Sequence, residues 1–511
     1  MLLTALIPWL CTLVVTSEAA PTSTDYDQKP GNASGLSSVI PSGDIYGPSS
    51  SLWVNGTTRW STFSAPTFDL LVIPKDEAEV AETVQYLSTR NIPFLAQGGG
   101  HGYSTTLGVI QHGVLINLEN FNHIQFNEDQ SVTVGGAVVY RDLIYALHNA
   151  GRELTVGSCV CVGSTGAMLG GGHGRLQGKH GLGVDNVIKI RIVLWNGSIV
   201  EASEQVNSDL FWAVRGAGQN FGVVIESTYK TYPQENDGNH YNADMVFTGG
   251  SLEGVADTIN SLIPNQDPAL AMDFLIFTDP STLTPVVYLN LIYAGPQSKG
   301  QQYADRFAST PASPSNNSKH INRLSINATV VSWPDLNDAA AGGAITASCA
   351  TGSRQNTYST NLKALDVATV QSLYDSYSAF VKANPLAAQS VILFEIFGQK
   401  AVEAQPDNYS AVPHRGSSNV LALLQMAYTD DSVAKAVDDW AHKWRDTLAS
   451  PRISGYPQLY TYQNYAHGDE PLGAIYGYDV WRKQRLTAAK RKYDPKDVFN
   501  GYHNIPLNGK W

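Results

Sequence analysis

The 511-residue chain is too long for one ordinary hydrophobic core, so its length points to two or three domains. With 43% hydrophobic and 15% charged residues it has the composition of a folded chain and not of a disordered one. A net charge of −12, with basic residues clustered only at 490–492, excludes a nucleic-acid partner, because phosphate binding needs a positive field.

Residues 1–20 hold an apolar run of roughly fifteen residues ending in Ser17, Glu18, Ala19 and Ala20, a small-x-small cleavage pattern. They read as a signal peptide of a secreted protein. A membrane anchor is the weaker reading, since the run is shorter than a bilayer span. Sequons at Asn32, Asn55, Asn196, Asn316, Asn327 and Asn408 agree with a secretory route and mark candidate glycosylation sites. If Cys11 leaves with the signal, Cys159, Cys161 and Cys349 remain, and three cysteines cannot all pair within the chain. One disulfide plus a thiol is one reading; the other is that one cysteine carries something else.

Residues 21–65, rich in Ser, Pro, Gly and Thr, read as a loosely structured leader. From Phe68 the pattern changes and predicts a strand at 69–74, a helix opened by Asp76 with Val80, Val84 and Leu87 on one face, and a second strand at 92–96. Further strands are expected at 113–118, 131–135, 187–194 and 222–230, with a helix at 140–149. Beyond Pro233 the strands look antiparallel: 273–278, 285–293, 391–397 and 419–428. Amphipathic helices at 367–381 and 433–448 would cover them, and a helix at 479–492 precedes an extended end. No internal repeat is present.

The second of those strands runs straight into LAQGGGHGYSTTLG at 95–108. Three glycines, His101 and Gly102 give a backbone able to turn sharply and approach a ligand closely. A second such stretch, GSCVCVGSTGAMLGGGHG, occupies 157–174. No G-x-G-x-x-G is present: after Gly216-Ala217-Gly218 the third glycine is replaced by Phe221, which disfavours a Rossmann dinucleotide site. A Walker A lysine, a G-x-S-x-G elbow and an H-E-x-x-H helix are also missing, and no metal site is expected. Several backbone-donor loops around one long anionic cofactor would account for what remains.

The blocks GGGHG at 98–102, SCVCVG through GGGHG at 158–174, Asp185-Asn186, DLFWAVRGAGQNFGVV at 209–224, PHR at 413–415, YQNY at 462–465 and KYDPKDVF at 492–499 stand in one order. In these blocks the chain resembles the berberine bridge enzyme-like branch of the vanillyl-alcohol oxidase flavoproteins, from about residue 68 to 506. The resemblance implies an α+β fold. A two-part PCMH-type FAD-binding domain would comprise 66–235 and a berberine-bridge-like segment, 455–511. A substrate domain, 236–454, would carry an antiparallel sheet covered by helices.

It further implies FAD, with the pyrophosphate on the amides of Gly98, Gly99, Gly100 and Gly102, beside Tyr103, and a covalent bond through His101. A second bond through Cys159 is implied by its place three residues before Val162-Gly163; Cys161 leaves open a link of its own or a disulfide with Cys349. Gly163, Ser164, Gly166, Gly171, Gly172, Gly174, Asn186, Val187, Gly222, Val223 and Asn464 are expected along the cofactor. His173 either touches the flavin or fills its loop, and an ion pair is expected for Arg215. Tyr462 matches the family's catalytic tyrosine and Gln425 a residue over the flavin, with Glu395 as a fallback base. A tyrosine near its usual pKa of about 10 is a poor base at neutral pH and needs help from its surroundings.

The implied activity is oxidation of a small hydroxylated molecule by hydride transfer to flavin, with O₂ as the second substrate, by a monomer free of the membrane after signal removal. Tailoring of a secondary metabolite is favoured over carbohydrate oxidation. A dehydrogenase unreactive toward O₂ or a non-catalytic flavin-binding protein would keep the same motifs.

Overall fold

The computed structural model describes residues 33–279, 281–310, 320–416 and 419–511. The expected signal segment and the sequons at Asn32 and Asn316 lie outside them. Among the described residues, strands β1 (Ile45–Tyr46), β2 (Phe68–Val72), β3 (Phe94–Gln97) and β4 (Gly113–Asn117) form a sheet in the order β1-β2-β4-β3. The last three are parallel. A helix, Glu77–Thr89, links β2 to β3; the Asp76 side chain caps it by accepting from the amides of Ala78 and Glu79. Its buried residues Val80, Val84 and Leu87 join the core between this sheet and the next.

The second sheet contains β5 (Ile124–Phe126), β6 (Val132–Gly135), β8 (Val187–Val193), β9 (Ile199–Ser203) and β10 (Val223–Tyr229), in the order β5-β6-β10-β8-β9. A two-residue pair, β7 (Arg152–Glu153) with β11 (Tyr232–Pro233), lies beside it. The leader is more ordered than its composition suggests. Leu36 and Ile40, 1% and 3% exposed, are buried in the core of the first sheet, β1 pairs with β2, and Trp53–Thr57 is helical. A few apolar anchors suffice, and averaging over a polar window hides them.

The third sheet is antiparallel throughout: β12 (Asn239–Phe247), β13 (Leu270–Asp279), β14 (Thr284–Tyr293), β15 (Arg323–Ser332), β16 (Arg354–Leu362), β17 (Val391–Phe397) and β18 (Val420–Tyr428), in the order β15-β12-β14-β13-β17-β18-β16. Helices Leu252–Leu262, Val367–Ala383 and Ala434–Ala449 pack on it through Val255, Ile259, Val370, Leu373, Tyr377, Val437 and Trp444. Strands β12, β15 and β16 escape the hydrophobic pattern. β15 is an exposed edge, while β12 and β16 bury polar side chains that hydrogen-bond to one another, such as Asn242 and Asp244.

After this sheet the chain returns to the glycine loops. Residues 460–465 run along β16, where the Asn361 amide donates to the Tyr460 carbonyl and the Ser359 hydroxyl to that of Tyr465. The helix Val480–Tyr493 is pinned by the buried Lys490, which pairs with Asp494 and donates to the carbonyls of Asn220 and Phe499.

Candidate active site

A cavity of about 530 Å³ lies between the glycine loops and one face of the third sheet. The glycine side is backbone against backbone. A Cβ on Gly98 would stand 2.6 Å from the Gly136 carbonyl oxygen, and one on Gly99 2.5 Å from the Gly163 amide nitrogen. Gly100 has φ +68°, so only glycine closes this turn without strain. Among the described residues, the amides of Gly99, Gly100, His101 and Gly102 donate to no other group of the chain. Four neighbouring donors in a glycine cradle suit an anion such as a pyrophosphate.

His101 ends this cradle. Its ring stacks on Trp60, with centroids 4.5 Å apart, and burial lowers its pKa to about 4, leaving a neutral imidazole with a free lone pair. Its Nε2 lies 3.7 Å from Cys161 Sγ, which in turn is 3.3 Å from Cys159 Sγ. Cys161 forms a disulfide with Cys349, and Cys159 is the free cysteine among the described residues. Burial raises the Cys159 thiol pKa.

The sheet side is built from alternate residues of neighbouring strands, as a pleat requires. Asp273, Leu275 and Phe277 of β13, Tyr288 and Asn290 of β14, Val391, Leu393 and Glu395 of β17, and Leu423, Gln425 and Ala427 of β18 line the cavity. Glu395 is buried; its Oε1 accepts from the Tyr465 hydroxyl at 3.2 Å, and its Oε2 is 3.5 Å from His173 Nε2. Burial, with the Asp273 carboxylate opposite it on β13, raises the Glu395 pKa to about 8. The Tyr462 oxygen accepts from the His173 amide at 3.1 Å and from Asn464 Nδ2 at 2.7 Å. Both bonds favour the phenolate, yet burial outweighs them and lifts Tyr462 to about 12.

Two family descriptions match the chain: "FAD binding domain" over residues 68–203 and "Berberine and berberine like" over 461–506. The FAD-linked oxidoreductase OXR1 of Pyricularia oryzae is 35% identical over 461 residues, covering 88% of this chain and 87% of that protein. The FAD-linked oxidoreductase azaL of Aspergillus niger is 32% identical over 451 residues, covering 87% and 91%. The chain is a berberine bridge enzyme-like FAD-linked oxidoreductase. Its fold also matches two solved structures. A chitooligosaccharide oxidase has a TM-score of 0.75 at 22% identity, covering 92% of this chain and 98% of that one. The glucooligosaccharide oxidase of Acremonium strictum, described with a 6-S-cysteinyl, 8α-N1-histidyl FAD, has a TM-score of 0.76 at 20% identity, covering 92% and 99%. The architecture is thus that of the PCMH-type FAD-binding oxidases.

Within this oxidoreductase the cavity wall gathers Gly98, Gly99, Gly100, His101, Gly102, Tyr103, Cys159, Gly163, Gly166, His173, Gly222, Val223, Glu395, Gln425, Tyr462 and Asn464 from six distant stretches. Other expected cofactor contacts lie off that wall. Asn186 is a structural tie, donating to the His180 and Leu182 carbonyls and accepting from Tyr232, and Val187 is buried at the start of β8. Ser164 bonds the Val138 carbonyl. Gly172 and Gly174 are small for packing, since their Cβ atoms would meet Gly183 Cα at 3.0 Å and the Val156 oxygen at 2.0 Å; Gly171, with φ +129°, faces the Tyr462 ring. His173 lies on the wall, stacked on Phe397, and burial holds its pKa at about 3. The ion pair expected for Arg215 is replaced by stacking between Phe211 and Tyr409 and a bond to the Tyr409 carbonyl; Asp185 pairs instead with Arg415.

Sequence reading missed Trp60 and Arg59, hidden in the leader, although Arg59 ties Gln97 to the Gly102 carbonyl. It also missed Arg175, Asp273 and Asn290. Asp273 carried a signal: a lone carboxylate in the apolar run LAMDFLIF.

Proposed function

We propose that the protein is a secreted oxidase of a small, largely apolar hydroxylated molecule, with secondary-metabolite tailoring as its role. The observation that carries this reading is the lining of the sheet side: Leu275, Phe277, Val391, Leu393 and Leu423 surround a few polar groups, as in pockets for small apolar ligands and unlike a polar groove for sugars. Secretion and glycosylation rest on the N-terminal sequence and on the exposure of Asn55, Asn196, Asn327 and Asn408. Among the described residues no helix is long and apolar enough to cross a membrane.

FAD would be held by the amides of residues 99–102 and by bonds through His101 and Cys159. The Cys161–Cys349 disulfide supports this assignment, since it leaves Cys159 as the available sulfur. When bound, FAD supplies the hydride acceptor and passes electrons to O₂, yielding hydrogen peroxide. Glu395, with a pKa of about 8 and an Oε2 free of hydrogen bonds, accepts the proton of the substrate hydroxyl. Tyr462 already accepts two hydrogen bonds, so its own O–H is free to donate to the substrate oxygen. A phenol with a pKa of about 12 suits that donor role better than the role of base first expected for it. Gln425, fixed by its bond to Gln355, orients the substrate from β18. Residues 66–235 with 455–511 serve as the FAD domain and 236–454 as the substrate domain.

The test is acid precipitation of the purified protein. Yellow colour is expected in the pellet of the wild type, of His101→Ala and of Cys159→Ala, and in the supernatant of the double variant. A colourless wild-type protein would refute the flavoenzyme reading, and release by His101→Ala alone would refute the bond to Cys159.

A further inference from the structure

Beside Glu395 the sheet carries buried polar atoms that the proton transfer does not use. The cross-strand register sets Asp244 of β12 opposite Asn290 of β14, Asn290 opposite Asp273 of β13, and Asp273 opposite Glu395 of β17. Four neighbouring strands thus present one polar row. Arg175, which directly follows the second GGGHG, reaches it from the loop side. Its Nη1 donates to Asn337 Oδ1 at 2.9 Å, and its Nη2 stands 3.5 Å from Asp273 Oδ2.

Several atoms here lack a hydrogen-bond partner: Nε of Arg175, Oδ1 of Asp273 and Oδ1 of Asn290, while Nη2 of Arg175 has only its long ion pair with Asp273. Their residues are 8%, 8% and 2% exposed, and all three line the cavity. A buried polar atom left unpaired is costly, so a set of them on residues that line one cavity suits a ligand that pairs them. Two are donors and two are acceptors. Next along the strands, Leu275 and Leu393, then Phe277 and Val391, are apolar. The face is therefore polar at one end and oily beyond it.

We propose that the Arg175–Asp273–Asn290 row recognises a neutral substrate head bearing two oxygens on adjacent or alternate carbons, at least one a hydroxyl, on an apolar body. One oxygen accepts from the Arg175 guanidinium while the hydroxyl donates to Asp273 or Asn290. A diol, a hydroxy-ketone or a 1,3-dihydroxylated ring meets this demand. A carboxylate head does not, because the Asp244 and Asp273 carboxylates already outnumber the single guanidinium on the row. The proposal rests on the reading of this cavity as the substrate site.

Calorimetric titration of the purified protein with 4-hexylresorcinol, 4-hexylbenzoate and hexylbenzene tests it. The resorcinol is expected to bind at least roughly tenfold tighter than either of the others, a margin within reach of one or two buried hydrogen bonds. Arg175→Met and Asp273→Asn should each remove most of that margin and leave hexylbenzene binding unchanged. If Arg175→Met does not fold, Arg175→Lys carries the same expectation, since it keeps the charge and loses the forked donors. Tighter binding of the benzoate, or equal weakening of all three ligands in the variants, overturns the proposal. Flavin content of the same samples is measured separately: colourless protein that keeps the resorcinol margin refutes the flavoenzyme reading alone.

Discussion

On the glycine side of the cavity, contact is made by main chain, with the loop 98–102 so close to Gly136 and Gly163 that a single Cβ would collide with backbone. On the sheet side it is made by side chains that alternate along β13, β14, β17 and β18. The first wall tolerates almost no change of residue at its closest points, because its geometry depends on atoms that must be absent. The second tolerates change of residue without change of fold, because a pleated strand presents whatever side chain it carries. The first is therefore suited to a fixed cofactor and the second to a variable substrate.

The largest effect that would sharpen this contrast is expected from Gly99→Ala. Its Cβ would stand 2.5 Å from the Gly163 nitrogen and 2.9 Å from the Gly163 Cα, with backbone on both sides and no flexible side chain to yield. Overpacking of this kind costs about 1–3 kcal/mol, and here the loops must part. Flavin content should fall to near zero and the melting temperature should drop. Gly166→Ala, whose Cβ meets nothing within 4 Å in the chain, should keep its melting temperature and lose flavin only if the cofactor passes there. Equal melting temperatures for Gly99→Ala and the wild type would contradict the account of this wall.

On the opposite wall Glu395→Gln should leave flavin content almost unchanged and reduce kcat/KM by about 10²–10⁴-fold, the usual contribution of a general base. In the wild type, kcat/KM should rise with pH to a plateau above about 8, as the Glu395 carboxyl ionises. Asp273→Asn removes a like charge opposite it, so the midpoint should move to lower pH. Tyr462→Phe should cost less, about tenfold, if the phenol only donates a hydrogen bond. The reverse ranking, with Tyr462→Phe the more damaging and no limb near pH 8, would restore the tyrosine as base.

The same contrast decides what was legible in the sequence. Gly98, Gly99, His101, Cys159 and Gly163 stand in short runs, because a backbone cradle is made from consecutive residues, and such runs are visible as motifs. The strands whose apolar pattern is strong, at Phe68–Val72, Thr284–Tyr293 and Val391–Phe397, were also legible. The polar row was not, since Asp244, Asp273, Asn290 and Glu395 become neighbours only through strand pairing. Trp60 and Leu36 were lost in a stretch whose average composition is polar. Asn186 lies off the cavity wall, its side chain bracing the loop at 180–182, which a motif position alone does not reveal.

A further effect separates the walls by the sign of their response to pH. Glu395 has a folded pKa of about 8 against an ordinary value of 4.5, so between those limits the folded state retains a proton that the unfolded chain has released. Stability then falls as pH rises from about 4.5 to 8 and levels off above. His173 on the glycine side has the opposite sense: its folded pKa is about 3 against 6.5, the unfolded chain binds the extra proton, and stability is lost as pH falls below 6.5. The melting temperature of Glu395→Gln relative to wild type should therefore rise between pH 5 and 8 and then stay level. That of His173→Phe relative to wild type should rise as pH falls from 6.5 toward 4. A flat difference for Glu395→Gln would mean that its carboxyl titrates as if exposed, and the assignment of the substrate proton to it would fall with that result.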